Sequence, residues 1–366
     1  MELHDIVTAI VKKQRAAVLA TIVEVEGHAY RKQGVSMVLW DDGTSLGHLS
    51  PGCLEADLAE HALQLLEAGC AKIVDYDMRP TEDLSWGEAV GCGGLLRILL
   101  EPVKGPLKAC LLELKRCLDA GLGIRIERVM TEELHDAVAA YRLLLAQTDK
   151  VVGSWRANGN SISAEEWACA ITPAAGLRLW SCRYEAKPRL VIFGAGTDAV
   201  PVANGALRAG FSVTVADWRH AVCSTDDYAD RVTRIIGFPE ELVSRLALGA
   251  NDYVIIMSHQ LQRDKQFLDL AWDIPLAYLG ILGSVSRTAQ LLNGRQPPVW
   301  LHAPVGLDIG AQGAEEIAVS IVAELIQIRR HAAVRQTDSI LKGVYGNDRH
   351  SRYLFGRRTK PSYGVR

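Results

Sequence analysis

The sequence predicts an α/β protein, with an N-terminal α+β domain followed by a domain built on a parallel sheet. Three observations predict this class. Beyond Lys187-Pro188, strand-like and helix-like runs alternate strictly, which is typical of a parallel sheet with helices on both faces. Before that point the chain carries hairpin signals, such as Asp42-Gly43 after the apolar run SMVLW. The 366 residues, 49% of them hydrophobic, are enough for two or three domains.

The N-terminal domain is predicted to combine helices and strands. A first helix ends near Arg15, and the run AAVLATIVEVEG then forms a strand of small and β-branched residues. After the SMVLW strand, a helix ends at Gly69. The runs KIVDYDM and LLRILLEP form further strands, and another helix covers about Pro106 to Ala120. The run RIERVMT follows, and the stretch after it gives a weaker pattern up to Glu185.

The second domain alternates strands and helices over its whole length. Its predicted strands are RLVIFGAG, SVTVADWR, RVTRII, DYVIIMS, PLAYLG and VWLHAPVG, and its last helix runs from Gly313 to Arg330. We place domain boundaries at residues 1–186 and 188–332. A basic tail over residues 333–366 is predicted to be solvated.

A glycine-rich turn follows the first strand of the second domain. Gly194, Gly196 and Ala199 fit the pattern G-x-G-x-x-G/A, between a buried strand and a helix, which is the context that this motif requires. The domain is therefore predicted to be Rossmann-like. Gly196 would let a phosphate approach the backbone, and Asp217, at the end of the second strand, would meet a ribose hydroxyl. In the alternative interpretation, the turn serves packing alone and Asp217 caps a helix.

Further polar residues follow later strands of the same domain, where ligands bind in open parallel sheets. The candidates are Ser258, His259, Gly280, Gly283, Ser284, Arg287, His302 and Asp308. Arg287 presents a planar set of donors that suits a phosphate or a pterin carbonyl. Each histidine could equally be a structural hydrogen-bonding residue.

Two cysteines lie in turns of the first domain. Cys53 precedes a predicted helix, and a thiol at a helix N-terminus has a lowered pKa, so it suits a metal or a sulfur-transfer site. Cys92 lies between glycines, where a ligand can come close to the backbone. Both are candidate metal ligands. The alternatives are packed structural cysteines, or a zinc site that also uses His48.

Charge and composition exclude several classes of partner. A formal net charge of −3 gives no global field that attracts nucleic acid or an anionic membrane. The first residues lack the features of a signal peptide, and no apolar run approaches the length of a membrane span. The cytoplasm is therefore the expected compartment.

Several stretches, in this order, resemble the xanthine dehydrogenase accessory factor (XdhC/CoxI) family. They are RKQGVSMVLWDDGTSLGHLSPGCLEADLAEHA, GCGGLLRILLEP, LVIFGAGTDAVPVA, VADWR, IIMSHQLQRD, YLGILGSVSR and HAPVGLDIGAQGAEEIAVSIVAEL. They cover most of the chain, and residues from about 105 to 185 match weakly.

The resemblance implies a function. Such proteins bind the molybdopterin form of the molybdenum cofactor, bring it together with a cysteine desulfurase, and pass it to a molybdenum hydroxylase such as xanthine dehydrogenase. The resemblance also implies a homodimer, and a cofactor-binding chaperone rather than a catalyst, so we assign no catalytic residue.

The family's Gly-Cys-Leu-Glu turn maps onto Gly52 to Glu55, and its Gly-Cys-Gly-Gly turn onto Gly91 to Gly94. This adds Glu55 to the candidate cofactor-binding residues. Pro51 stands where family members commonly have glycine, so a backbone donor is missing there.

The residues also suggest how such a cofactor is held. The helix start at Gly194–Ala199 suits its phosphate, Cys53 and Cys92 suit its metal, and the polar residues after the later strands suit its pterin. We hypothesise that the two domains close on one cleft.

Two other functions fit parts of the sequence. An NAD(P)-dependent oxidoreductase would use the same glycine-rich turn, but no Tyr-x-x-x-Lys pair follows it. A scaffold that docks a hydroxylase without holding a cofactor is the other possibility.

Overall fold

The computed structural model describes residues 3–52, 54–78, 94–131, 138–170, 177–223 and 227–345, with side chains described through residue 331 except at 169–170. The chain divides into two compact units, Met1–Lys187 and Pro188–Arg366. The predicted α/β class, with antiparallel pairing first and a parallel sheet after it, is confirmed.

The N-terminal unit contains two antiparallel sheets. The first has five strands in the order β3-β2-β1-β5-β4. Its elements and the helices around it are α1 (Leu3–Lys13), β1 (Ala17–Glu26), β2 (Ser36–Trp40), β3 (Ser45–Leu46), α2 (Glu55–Ala68), β4 (Lys72–Asp77), β5 (Leu95–Pro102) and α3 (Gly105–Asp119).

The second sheet of this unit occupies the stretch whose sequence pattern is weak. It has four strands in the order β8-β7-β6-β9. The elements are β6 (Ile124–Thr131), β7 (Val138–Leu145), β8 (Val151–Arg156), α4 (Ala164–Ala170) and β9 (Leu177–Tyr184). The predicted strand RIERVMT lies within β6, and the other three strands were not predicted.

A buried ion pair joins the two sheets of the N-terminal unit. Glu101 on β5 and Arg128 on β6 are each 1% exposed, with Nη2 of Arg128 2.9 Å from Oε2 of Glu101. The hydroxyl of Tyr141 on β7 donates to Oε1 of the same carboxylate at 2.9 Å. The guanidinium also lies over the ring of Trp180, 4.9 Å from its centroid. This cluster lies in the same core as the apolar faces of α1 and α3.

The C-terminal unit is a six-stranded parallel sheet with the order β12-β11-β10-β13-β14-β15. Its elements are β10 (Arg189–Phe193), α5 (Ala199–Arg208), β11 (Ser212–Asp217), α6 (His220–Cys223), β12 (Thr233–Ile236), α7 (Pro239–Leu246), β13 (Asp252–Ile256), α8 (Leu261–Ala271), β14 (Tyr278–Ile281), α9 (Val285–Leu292), β15 (Leu301–His302) and α10 (Gly313–Tyr345).

Helices cover both faces of this sheet because its four central strands, β11, β10, β13 and β14, are buried on both sides. One core packs α5 and α10 against residues such as Ile192 and Val215. The other packs α7, α8 and α9 against residues such as Val191 and Ile256. None of the described helices is long and apolar enough to cross a membrane.

The strand order reverses between β10 and β13. From β10 the chain adds β11 and β12 on one side, and from β13 it adds β14 and β15 on the other. The loops after β10 and β13 therefore leave the same edge in opposite directions. In open parallel sheets, ligands bind at the carboxyl ends of the two strands at such a switch point.

Candidate functional site

The glycine-rich turn after β10 packs against the loop after β13. Gly194 has φ +114°, and a Cβ added there would lie 2.5 Å from both Cα and N of Ser258. No side chain fits this position, which explains the glycine. A Cβ at Gly196 would have no other described atom within 4 Å. The second glycine of the motif therefore faces open space at the switch point.

Asp217, at the end of β11, is fully buried and anchors this turn. Its Oδ2 accepts a hydrogen bond from the backbone N–H of Ala195 at 2.7 Å and one from Nη2 of Arg219 at 2.8 Å. Its Oδ1 accepts from the backbone N–H of Arg219 at 2.8 Å and from Nε of Arg219 at 3.0 Å. Both carboxylate oxygens therefore have partners within the chain.

His259 is the exposed polar side chain of the β13 loop. Its Nε2 lies 3.1 Å from Oδ2 of Asp198, which belongs to the glycine-rich turn. The side chains of His259 and Asp198 are 57% and 44% exposed. His259 also has φ +64°, a left-handed conformation that is uncommon for a residue other than glycine. The pair joins the two loops that flank the switch point, and no described residue forms a hydrogen bond with Nδ1 of the imidazole.

Asp264 on α8 connects this loop to the start of α9. The carboxylate is 1% exposed and accepts hydrogen bonds from the hydroxyl and the backbone N–H of Ser258. Its other oxygen lies 2.6 Å from Nη2 of Arg287. Burial raises the pKa of Asp264, and the contacts with Ser258 and Arg287 partly offset that effect. Arg287, with 23% of its side chain exposed, is thus held in one orientation at the edge.

Ser284 begins α9 as its N-cap, because its hydroxyl accepts a hydrogen bond from the backbone N–H of Arg287 at 3.3 Å. Gly283 precedes it with φ +140°, and a Cβ there would lie 2.6 Å from Cδ of Arg287. Glycine therefore makes room for the arginine side chain to cross the turn.

His302 and Asp308 lie farther along the edge. Nδ1 of His302 is 2.9 Å from Oε1 of Glu324 on α10, and its ring stacks on Tyr278 with centroids 4.6 Å apart. Glu324 also accepts hydrogen bonds from the hydroxyl of Tyr278 and the backbone N–H of Gly306. Burial raises the pKa of Glu324, but these hydrogen bonds lower it by a larger amount. The pKa therefore lies below the ordinary value for glutamate. Asp308 is exposed.

Glu55 belongs to the N-terminal unit and fixes the turn before α2. Its Oε1 accepts hydrogen bonds from the backbone N–H groups of Leu49 at 3.1 Å and Ser50 at 2.9 Å, and its Oε2 from the Ser50 hydroxyl. Burial raises the pKa of Glu55, and the hydrogen bonds outweigh that effect, so its pKa is lowered. The Ser50 hydroxyl oxygen in turn accepts from the N–H groups of Gly52 and Leu54.

Cys53 and Cys92 lie outside the described residues, as do Gly91 and Gly93. Within the described part of the chain, no group of three or more His, Cys, Asp and Glu side chains could hold a metal ion. The metal-ligand assignments therefore stay predictions. The structure does describe the residues before and after Cys53, in which Ser50 is hydrogen-bonded to Glu55 and Leu54.

The structure thus brings one group of predicted residues together and leaves others apart from it. Contacts between Gly194 and Ser258, Asp198 and His259, and Asp264 and Arg287 join the residues of the switch point. His302 contacts Tyr278 and Glu324 instead.

Four acidic or basic residues at this edge were not predicted: Asp198, Arg219, Asp264 and Glu324. A sequence signal existed for Asp264 and Glu324. Asp264 lies three and four residues before the buried Phe267 and Leu268, on the apolar side of α8. Glu324 lies beside Leu325 on the apolar side of α10. An acidic residue on the core-facing side of an amphipathic helix needs a buried partner.

Comparison with known proteins identifies the family of this chain. The family model described as the XdhC and CoxI family matches residues 10–77, and the model of the XdhC Rossmann domain matches residues 190–325. A protein of Bacillus subtilis (strain 168), described as a probable subunit of xanthine dehydrogenase, is 36% identical over 333 residues, which cover 90% of this chain and 98% of the relative. The chain belongs to the XdhC/CoxI family.

Two further relatives agree with this membership. The molybdenum cofactor insertion chaperone PaoD of Escherichia coli (strain K12) is 26% identical over 337 residues, covering 89% of this chain and 87% of PaoD. A crystal structure described as a xanthine dehydrogenase from Bacillus halodurans has 36% identity and a TM-score of 0.77, and the match covers 90% of this chain and 96% of that chain.

Proposed function

We propose that this chain is an accessory protein that binds the molybdenum cofactor and supports its sulfuration and its insertion into a molybdenum hydroxylase such as xanthine dehydrogenase. The observation that carries the proposal is the group of polar residues around the open Gly196 at the switch point. Family membership and the likeness to a cofactor insertion chaperone support it. A cysteine desulfurase, the hydroxylase and a second copy of the chain are the proposed partners.

The cofactor, here the cargo, needs three kinds of contact. Its phosphate is proposed to lie at Gly196, where the backbone is open and the N-terminus of α5 offers N–H groups. Its flat pterin needs hydrogen-bond donors and acceptors, which His259, Ser284, Arg287 and Asp308 supply.

Three other residues of the candidate set are proposed to act by positioning. Glu55 holds the turn before α2, Asp217 holds the glycine-rich turn, and His302 contacts Glu324. Cys53 and Cys92 are proposed to offer thiolates to the molybdenum, because a soft ligand suits that metal end.

The test is the amount of pterin that copurifies with the chain. The chain is purified from a host that makes the cofactor, the pterin is released and oxidised with iodine in acid, and its fluorescence is measured per chain. We expect pterin in this sample and none from a host that cannot make the cofactor. Absence of pterin from both, with NAD(P) in the denatured supernatant, would instead favour the oxidoreductase.

Gly196→Ala locates the bound cofactor. The added methyl group meets no described atom of the chain, so the thermal unfolding midpoint should stay unchanged while pterin content falls at least about tenfold through steric exclusion. Gly249→Ala is the matched control, because Gly249 is equally open but precedes β13 at the opposite edge of the sheet. Equal pterin content in both variants would remove the glycine-rich turn from the binding site.

The cysteines need a separate experiment. Replacing Cys53 and Cys92 together with alanine should lower the molybdenum retained per pterin, with the free Cys70 replaced in a control variant. Unchanged molybdenum per pterin in the double variant would exclude the thiolates as metal ligands.

A further inference from the structure

The carboxylate of Asp217 has no capacity left for a ligand. An ionised carboxylate offers about four lone-pair positions. Asp217 uses two on each oxygen, for Ala195 N–H and for three N–H groups of Arg219, at 2.7 to 3.0 Å. The side chain is also 0% exposed. In nucleotide-binding relatives of this fold, an acidic residue at this position accepts a hydrogen bond from a ribose hydroxyl.

Arg219 is the exposed group at the end of β11. Its side chain is 39% exposed, and its guanidinium lies over the ring of Trp218, 4.7 Å from the centroid. Nε and Nη2 bind Asp217, and no described residue accepts a hydrogen bond from Nη1. The buried ion pair and the indole together fix the plane of the guanidinium. The edge therefore presents a cationic donor where a ribose-binding domain presents an anionic acceptor.

We propose that Arg219, held by Asp217 and Trp218, makes this edge select a phosphate group over a ribose diol. A fixed guanidinium binds a phosphate through charge-assisted hydrogen bonds, whereas it offers no acceptor to a hydroxyl. The inference rests on the proposed function, because Asp217 joins Arg219 to the glycine-rich turn at which the phosphate of the cofactor is proposed to lie. It assigns Arg219 as a specificity-determining residue and Asp217 as a positioning residue.

Two simple nucleotide probes test the selectivity. Adenosine 2′,5′-bisphosphate and adenosine 5′-monophosphate differ only by a phosphate in place of the ribose 2′-hydroxyl. Binding of each to the full chain is measured by calorimetry at low ionic strength, after the chain is purified from a host without the cofactor. We expect the bisphosphate to bind about tenfold more tightly, since a charge-assisted hydrogen bond is worth that factor or more. Equal affinities, tighter binding of the monophosphate, or no binding of either probe at millimolar concentration would overturn the proposal.

Variants assign the effect to Arg219. Arg219→Ala should bring the affinity ratio close to one, and Arg219→Lys should give an intermediate ratio because a lysine lacks the planar fork. Should the alanine variant fail to fold with Asp217 unpaired, the lysine variant carries the test. Arg295→Ala is the matched control, because Arg295 is 37% exposed, pairs with Asp269 and lies 4.9 Å from the Trp272 centroid. An unchanged ratio in Arg219→Lys would contradict the assignment.

Failure of this proposal is distinguishable from failure of the proposed function. Copurified pterin together with an affinity ratio near one would remove the selectivity and leave the cofactor-binding role. A clear preference for the bisphosphate without copurified pterin would leave the phosphate subsite and remove the molybdenum cofactor as its ligand.

Discussion

Glu101 and Asp264 are both carboxylates with 1% of the side chain exposed, and each has an arginine partner. Their surroundings differ. Glu101 lies between the two sheets of the N-terminal unit, where Arg128 is equally buried. Asp264 lies beneath the carboxyl edge of the parallel sheet, and Arg287 is partly exposed. The first pair connects strands of a core, whereas the second orients an arginine toward a surface where ligands bind.

The edge of the C-terminal unit repeats the second arrangement. Asp217, Asp264 and Glu324 are all buried, and each receives hydrogen bonds from a backbone N–H of an edge loop and from at least one side chain. Buried acids at this edge preorganise loops, so changing them should lower ligand binding as well as the stability of the fold. Breaking the buried ion pair of the N-terminal core should lower stability alone.

The largest expected effect is on stability, in Arg128→Met. Removing the guanidinium leaves Glu101 buried without its ion-pair partner, which should cost about 3–5 kcal/mol of unfolding free energy. Denaturant unfolding followed by circular dichroism measures this. Adding Glu101→Gln should recover much of the loss, since no buried charge then remains. Arg116→Met, which breaks the exposed pair with Glu113, should cause no measurable change. A loss below about 1 kcal/mol in Arg128→Met would contradict the assigned role of the pair.

For Asp264→Asn we expect a smaller loss of stability than for Arg128→Met, together with a loss of bound cofactor. The amide keeps the shape but weakens the contacts with Ser258 and Arg287, which should cost about 1–3 kcal/mol. Copurified pterin should fall severalfold, because Arg287 loses its fixed orientation. Asp269→Asn is the control on the same helix, since its pair with Arg295 is exposed. Retention of full pterin by Asp264→Asn would show that the edge acid serves folding alone.

The smallest expected effect is a change in pH dependence, in Glu324→Gln. The pKa of Glu324 is lowered in the folded chain, so its ionised form adds stability above the pKa of the unfolded chain, about 4.3. That contribution is lost as pH falls through the folded-state pKa. The variant should be about 1 kcal/mol less stable at pH 7, and its stability should fall less steeply below about pH 5.

Unfolding midpoints between pH 3 and pH 7, compared between the wild-type chain and Glu324→Gln, measure this dependence. Glu315→Gln, which removes an exposed acid from the same helix, is the control and should follow the wild-type curve. Parallel curves for Glu324→Gln and the wild type would contradict the lowered pKa.

The sequence predicted the parallel sheet well because its strands and helices are local patterns. The strands β10, β13 and β14 are apolar runs, and the helix after each of them buries one side. The four-stranded antiparallel sheet was largely missed. Its β6 pairs with β9 in a register of Ile124 with Tyr184, across a long stretch of sequence, and β9 exposes residues without regular alternation. Such pairing depends on tertiary contacts that a local pattern does not contain.

The prediction of the candidate site was limited in the same way, because its tertiary contacts are not visible in a local pattern. The motif predicted the turn at Gly194 and its open neighbour Gly196, because backbone requirements are visible in the residue type. It could not predict that Arg219 fills the acceptor positions of Asp217, or that Asp198 contacts His259 across the switch point. These contacts depend on which loops the strand order places side by side.

The left-handed backbone at His259 has a consequence for how this chain evolves. A residue other than glycine in that conformation costs on the order of 1 kcal/mol, so selection for folding alone favours glycine there. A histidine at this position therefore lowers the stability of the fold slightly and is retained for a purpose other than folding. In a saturation library at residue 259, variants ranked by thermostability and variants ranked by cofactor loading should form different orders, with histidine near the top of only the second.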